Sequence, residues 1–512
     1  MTEQKRGLNH MTRRLIAILL SLILVFSAAP GVAETAHDLV DLGAEALQNE
    51  EYDAAIQYFL QAAELGEAVA YYDLGAVYLN GYVVEPSNET AIGYFEKAAE
   101  LGMPEAQIYM FSLYLSGDGV EQSLEKAMDY LRRAAEQNNT EALYAMGYCY
   151  ENGIGLEQSF EKAAEYYKLA AEQGDSWART HLGALYESGD GVEQSYEMAA
   201  KYYQMAADQG DAFAQINMGW LYLDGAGVPQ SYEKAMEYFQ LAAVQGSSEA
   251  MYNLGRMYQY GEGVEQSAGK AAEYYQQAAD LGNSWAQVAL GQMYQDGNGV
   301  EQSWEKAIQL YQSAADQGDD NGQLLLGRLY QDGVGVEQSW EKARKYYLAA
   351  AEQGNAEAQN SLGVMYEHGQ GVKQSYEMAE KYYQLAADQG NSVAQVNLAW
   401  MYMEGVGGLP KSPEKAREYW LQAAEQGNDE GLYNLGVMYE LGNGVEQSYE
   451  EAAKYYTKAA ESGNSKAQVS LGVLYYNGNG VEQSYEEAFE YLKLAAEQGN
   501  EDAKELLKKL GQ

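Results

Sequence analysis

Hydrophobic positions along this chain recur in helical steps. In residues 283–318, Ala286, Leu290, Met293 and Tyr294 are spaced i, i+4, i+7 and i+8, which puts them on one face of a helix. Gly297 follows, placed to end that helix with a left-handed residue. A short polar loop leads to Ser303. Serine caps helix starts because its oxygen accepts a hydrogen bond from a free amide of the first turn. A second apolar series runs Ala307, Leu310, Tyr311, Ala314 and Ala315, and Gly318 closes it. Where the cap reads SYEE, at Ser448 and Ser484, Glu451 and Glu487 are placed to complete a capping box. The pattern predicts helix, short loop, helix. Such a hairpin cannot bury its apolar face alone, so copies must stack.

The copies are present. The position held by Leu290 recurs at 74, 110, 146, 182, 218, 254, 326, 362, 398, 435 and 471. One interval is 37 residues rather than 36, and its extra residue lies in GVGGLPKSPEKA, where Pro413 takes the first helical position. The glycine that follows the leucine lets neighbouring helices approach closely. Two copies replace it, with Phe111 and Ala399. Phe111 is expected to spread or shift the local contact. Residues 37–66 read as a shorter, tetratricopeptide-like helix pair at the N-terminal end. Residues 500–512 read as a closing helix: Asn500 is the cap, and Ala503, Leu506, Leu507 and Leu510 form one apolar stripe. Glu501 and Asp502 in its first turn and Lys508 and Lys509 in its last suit the helix dipole.

The repeated pattern is Ala-x-x-x-Leu-Gly-x-x-Tyr, then Gly-x-Gly-Val-x-x-Ser, then Lys-Ala and Ala-Ala-x-x-Gly. It resembles the Sel1-like repeat, a relative of the tetratricopeptide repeat with a longer loop. The resemblance covers residues 67–499 in twelve copies. It implies an all-α fold, a right-handed superhelical α-solenoid of Sel1-like helix pairs. It also implies an adaptor or assembly scaffold rather than an enzyme. Exported bacterial members of the family include binders of host proteins, immunoglobulin A among them.

Composition narrows the partners. The chain of 512 residues carries 32 Lys+Arg against 76 Asp+Glu, a net charge of −44. Nucleic acid and anionic membranes are poor partners for such a surface, because phosphate binding needs clustered Lys and Arg. The basic side chains do cluster at the start. Lys5, Arg6, Arg13 and Arg14 precede the apolar run LIAILLSLILVF and the small residues SAAPGVA. Residues 1–33 therefore read as a secretory signal peptide, with an apolar run too short to span a bilayer comfortably. Either it is cleaved or it stays as an N-terminal anchor. Export to the periplasm, the cell surface or the medium follows, and a monomer is expected. Cys149 stands alone on a core face and forms no internal disulfide.

Chemistry-bearing motifs resolve into structure. Ser-x-x-Lys, the nucleophile motif of penicillin-recognising enzymes, occurs at Ser123, Ser159, Ser231, Ser267, Ser303, Ser339 and Ser412. Repetition at helix starts makes these serines caps, and the companion motifs are missing. GVGGLPKS has Pro410 where a phosphate loop needs glycine before Lys411. His37, His181 and His368 are far apart in the array. Acids recur in the loops, from Glu85 and Glu121 to Glu446 and Glu482, and read as a solvated edge. No metal site, cofactor or catalytic residue is expected.

Variation between copies carries the functional signal. Two residues after the leucine, the column includes Tyr148, Trp220, Arg256, Arg328 and Trp400; five before it stand Trp177, Phe213 and Trp285. In tetratricopeptide-like stacks these first helices line the concave face. Tyr, Trp and Arg are the residues that most often anchor protein interfaces. Two readings stand: the aromatics pack against the adjacent copy, or they anchor a partner. The expected function is an exported, non-enzymatic scaffold binding a protein or peptide on that face, such as a host protein like secretory immunoglobulin A. The alternative is a periplasmic adaptor for envelope or exopolysaccharide machinery.

Overall fold

Each predicted hairpin forms. The computed structural model describes residues 35–80 and 87–510. The expected signal peptide and Glu85 lie outside them. Among the described residues there are 27 α-helices, one 3-10 turn (Val406–Gly408) and no strand. No described helix is long and apolar enough to cross a membrane. The architecture is an all-α repeat solenoid of paired helices. By contacts the chain divides into two compact units: residues up to 250 with 262–264, and 251–261 with 265–512.

In the second unit, the helices Ser284–Asp296 and Trp304–Asp316 form one repeat. Asn283 caps the first: its side-chain oxygen accepts from the Ala286 amide at 2.8 Å. Gly297 ends it at φ +69°. Ser303 caps the second, accepting from the Lys306 amide. Ala286, Leu290, Ala307, Tyr311 and Ala314 are buried as the periodicity requires. Ser448 and Ser484 accept from the amides of Glu451 and Glu487, but neither glutamate returns the bond to complete the expected box, and Glu451 pairs instead with Lys454 at 2.5 Å. The box that does form joins Thr35 and Asp38.

The glycine after the leucine meets an aromatic ring. A Cβ on Gly291 would lie 2.5 Å from Tyr311 Cε1, so only glycine lets this second-helix ring seat against the first helix. The Tyr hydroxyl then donates to the polar residue four places after that glycine. Tyr203 donates to Glu187 at 2.7 Å, Tyr311 to Gln295 at 3.1 Å and Tyr383 to Glu367 at 2.6 Å. Where that position is Leu79, Leu115 or Leu223, the second helix carries Phe95, Leu131 or Phe239 instead. Phe111 fits this scheme. It is fully buried in one core cluster with Leu131, so the ring has moved from the second helix to the first.

Neighbouring repeats are tied by a buried glutamine. Gln287 donates to the Ala279 carbonyl of the preceding repeat at 3.3 Å and accepts from Gln317 of its own second helix at 2.8 Å. One amide thereby joins three helices. The end helix Glu501–Lys509 is capped by Asn500, and Leu506, Leu507 and Leu510 pack beside the core residues Leu492 and Ala503.

The loop glycines make a second close approach. Gly191 has φ +69°, and a Cβ there would lie 2.2 Å from the Phe160 carbonyl carbon of the preceding repeat. Gly210 has φ +89° and nothing within 4 Å. Gly210→Ala is expected to cost about 1–2 kcal/mol, the left-handed backbone alone. Gly191→Ala adds a backbone collision and is expected to cost about 2–5 kcal/mol in all. Urea denaturation of the two variants decides the matter. Equal losses would mean the inter-repeat contact imposes nothing at Gly191.

Candidate functional site

Alternation along a first helix sorts its side chains. Every third or fourth residue faces the second helix and is buried; those between face outwards. The variable columns fall among the latter, and the structure divides the eight candidates by what lies beneath them.

In the first unit, Trp177 and Phe213 come from the starts of successive first helices, and their rings meet at 5.8 Å. Trp177 is half-buried, while Phe213 is 55% exposed. Trp220 is half-buried. It stands edge-on to Phe239 at 5.9 Å, and its indole hydrogen-bonds the Glu249 carboxylate. Burial pushes that carboxyl up, and the indole offsets part of the rise. Tyr148 is half-buried and lies edge-on to His181 at 6.1 Å.

His181 is less isolated than its sequence spacing implies. Its Nδ1 lies 3.1 Å from Glu151 Oε2, its ring stacks on Tyr167 at 5.1 Å, and Tyr144 lies edge-on to it. Burial raises the Glu151 carboxyl, but the hydrogen bond and charge of His181 and the Tyr167 hydroxyl outweigh it and hold it low. Glu151 lies near the end of the first helix Thr140–Asn152 and His181 within the next first helix, Ser176–Ser188, so the contact joins neighbouring repeats.

In the second unit, Arg256 and Trp285 come together. They line a cleft of about 180 Å³ with Tyr252, Tyr260, Gln292 and Asp319. Trp285 is 56% exposed and tilts against Tyr252 at 6.0 Å. Tyr260, also exposed, belongs to this cleft, although its column elsewhere is mostly polar, with Asn, Ser and Asp the commonest residues. Val393 is a further exposed apolar residue in the Trp285 column. Arg328 is exposed and pairs with Glu357 at 2.5 Å, an arrangement that contributes about 0–1 kcal/mol. Trp400 is 41% exposed and stands edge-on to Trp420 at 5.3 Å.

Ser159 Oγ accepts from the Lys162 amide, while the Lys162 ammonium lies 5.1 Å from the Tyr150 ring centroid. The same lysine-over-tyrosine contact recurs at Lys234, Lys270, Lys306 and Lys342. Serine and lysine of that motif thus serve different contacts. Burial pushes the Cys149 thiol up to about 12, which leaves it protonated and unreactive. Among the described residues, no three His, Cys, Asp or Glu side chains gather as a metal site would require.

The Sel1 repeat model matches thirteen segments in succession, from 42–67 through 286–319 to 465–500. Among solved structures, the chain is similar to c5321, a protective antigen of uropathogenic Escherichia coli strains with an SLR fold. The two are 34% identical over 81% of this chain and 90% of that one, with a TM-score of 0.59. A Sel1 repeat protein from Oxalobacter formigenes is 31% identical over 48% of this chain and 96% of its own, with a TM-score of 0.44. No curated protein matches. With thirteen matched repeats and the helix pairs they specify, the chain belongs to the Sel1-repeat family.

Proposed function

We propose that this chain is an exported, non-enzymatic scaffold that binds a protein or peptide partner through the exposed aromatics of its first helices. Sel1-repeat proteins generally mediate protein–protein interactions, and their scaffold is typically non-enzymatic. One observation carries the reading. Phe213, Trp285 and Trp400 remain 41–56% exposed in columns that vary between copies, while the Leu and Tyr columns beneath them hardly change. Large aromatics with this much surface exposed are well suited to anchor a partner.

The basic start and apolar run of residues 1–33 support export. The description of the similar E. coli protein as a protective antigen supports a position within reach of a host. Affinity capture tests the reading, with chain lacking residues 1–33 as bait. Host secretions, with secretory immunoglobulin A among them, form one arm, and the producing cell's envelope extract the other. Retention from the envelope extract alone would instead favour the periplasmic adaptor.

Trp285→Ala is expected to weaken the captured complex about 30-fold, a hot-spot loss of about 2 kcal/mol. Melting should stay nearly unchanged, because more than half of the ring is exposed. Trp220→Ala should lower both, since its ring also packs on Phe239. If Trp285→Ala lowers the melting temperature and leaves binding intact, the aromatics belong to packing.

A further inference from the structure

The repeat containing Trp400 breaks the pairing rule found elsewhere. In seven repeats a buried second-helix tyrosine donates to a Glu or Gln of the first helix. Where the acceptor is missing, at Leu79, Leu115 and Leu223, the donor is missing too, because Phe95, Leu131 and Phe239 replace the tyrosine. Here Met403 takes the acceptor's place while Trp420 retains a donor.

Trp420 is 2% exposed, and among the described residues none accepts its indole N–H. Asn434, at the next first helix, is 4% exposed, and its Nδ2 is likewise without an acceptor. Both line the same cavity of about 360 Å³. Trp400, Met403, Val437 and Leu441 supply apolar walls. Buried donors are almost always satisfied, and beside the apolar walls Glu404, Lys411, Asn434 and Asn443 make the lining mixed in polarity.

We propose that this cavity receives one apolar side chain of the partner polypeptide, whose adjoining backbone carbonyl oxygen accepts from Trp420 and Asn434. The inference rests on the binding function proposed above. Trp400, one of the exposed aromatics of that surface, forms part of the cavity wall, so the cavity continues it. The acceptor is uncharged. Glu404 and Lys411 on the wall offset each other, and a net charge of −44 repels a carboxylate. The volume is sufficient for an apolar side chain with its flanking peptide group.

The probe is N-acetyl-L-leucinamide, an apolar side chain between two neutral carbonyls. Nitrogen-15 labelling of the indoles gives one resonance for each of the seven tryptophans. Trp420→Phe identifies its own by removal, and phenylalanine is native at the equivalent Phe95 and Phe239. The expected result is a saturable shift of the Trp420 resonance and, read from the Trp400 resonance on the same wall, at least about tenfold weaker binding to Trp420→Phe, the loss of one buried hydrogen bond. Cyclohexane, which has no acceptor, should leave that resonance in place. No saturable shift, equal affinity for Trp420→Phe, or equal binding of cyclohexane would each overturn the proposal. Failure of the broader binding function appears elsewhere, as Trp285→Ala without effect on partner capture, and does not alter this titration.

Discussion

Raising the pH above about 10 is expected to unfold this protein steeply, with phenolate formation and loss of helix occurring together. Tyr167, Tyr203, Tyr311, Tyr347, Tyr383 and Tyr456 are each at most 1% exposed. Burial pushes every one of these hydroxyls above its ordinary value of 10.0, and nearby carboxylates add to the shift for most of them. The sign follows from the direction. A group raised in the folded state contributes stability that is complete below its unfolded value and disappears as pH climbs from there towards the folded value. Above 10 the unfolded chain releases these protons and the folded chain does not. Each such tyrosine then removes about 1.4 kcal/mol per pH unit, so six together remove about 8 kcal/mol per unit. No ordinary domain withstands that for long.

The measurement is phenolate absorbance followed beside far-ultraviolet circular dichroism. Part of the phenolate signal should appear early, without structural change. The remaining phenolates should appear only as the helices melt. Smooth titration of all tyrosines near 10 with helices intact would contradict the buried pairing. Replacing several of these tyrosines with phenylalanine, native at Phe95 and Phe239, should move the alkaline transition upwards.

Much of this architecture was legible because apolar spacing and repeat period act independently. Ala286, Leu290 and Tyr311 announce a helix pair; recurrence at 36 residues announces stacking. The Tyr203–Glu187 pairing was also written in the chain, as two columns that change together. Reading it requires knowing that positions 16 apart face each other across the hairpin, which spacing within one helix does not say. His181 and Glu151 were hidden for a related reason, since their contact crosses from one repeat to the next.

The candidate surface was legible as a column and not as a depth. Trp220 and Trp400 share a register position. Trp220 is half-buried against Phe239, whereas Trp400 stands 41% exposed over Trp420. What the second helix presents beneath each ring decides its exposure, and that lies outside the column itself. The unsatisfied indole of Trp420 could be found only by comparing every repeat with its neighbours.

The exchange between Phe111 and the usual Gly–Tyr pair leads to the second large effect. Gly291→Phe is expected to destabilise the chain by about 3 kcal/mol or more, because even a Cβ there would lie 2.5 Å from Tyr311. Tyr311→Leu alone should cost about 2–4 kcal/mol through a lost ring and an orphaned Gln295. Combining both with Gln295→Leu recreates the native arrangement of Phe111, Leu115 and Leu131, all 4% exposed or less. The triple variant should therefore recover to within about 2 kcal/mol of the parent, which requires a coupling of more than about 3 kcal/mol. Urea denaturation of the three proteins measures it. Additive losses would mean that the ring's position in each repeat is independent of its neighbours. Recovery would mean that a repeat needs one aromatic ring at this contact and is indifferent to which helix supplies it.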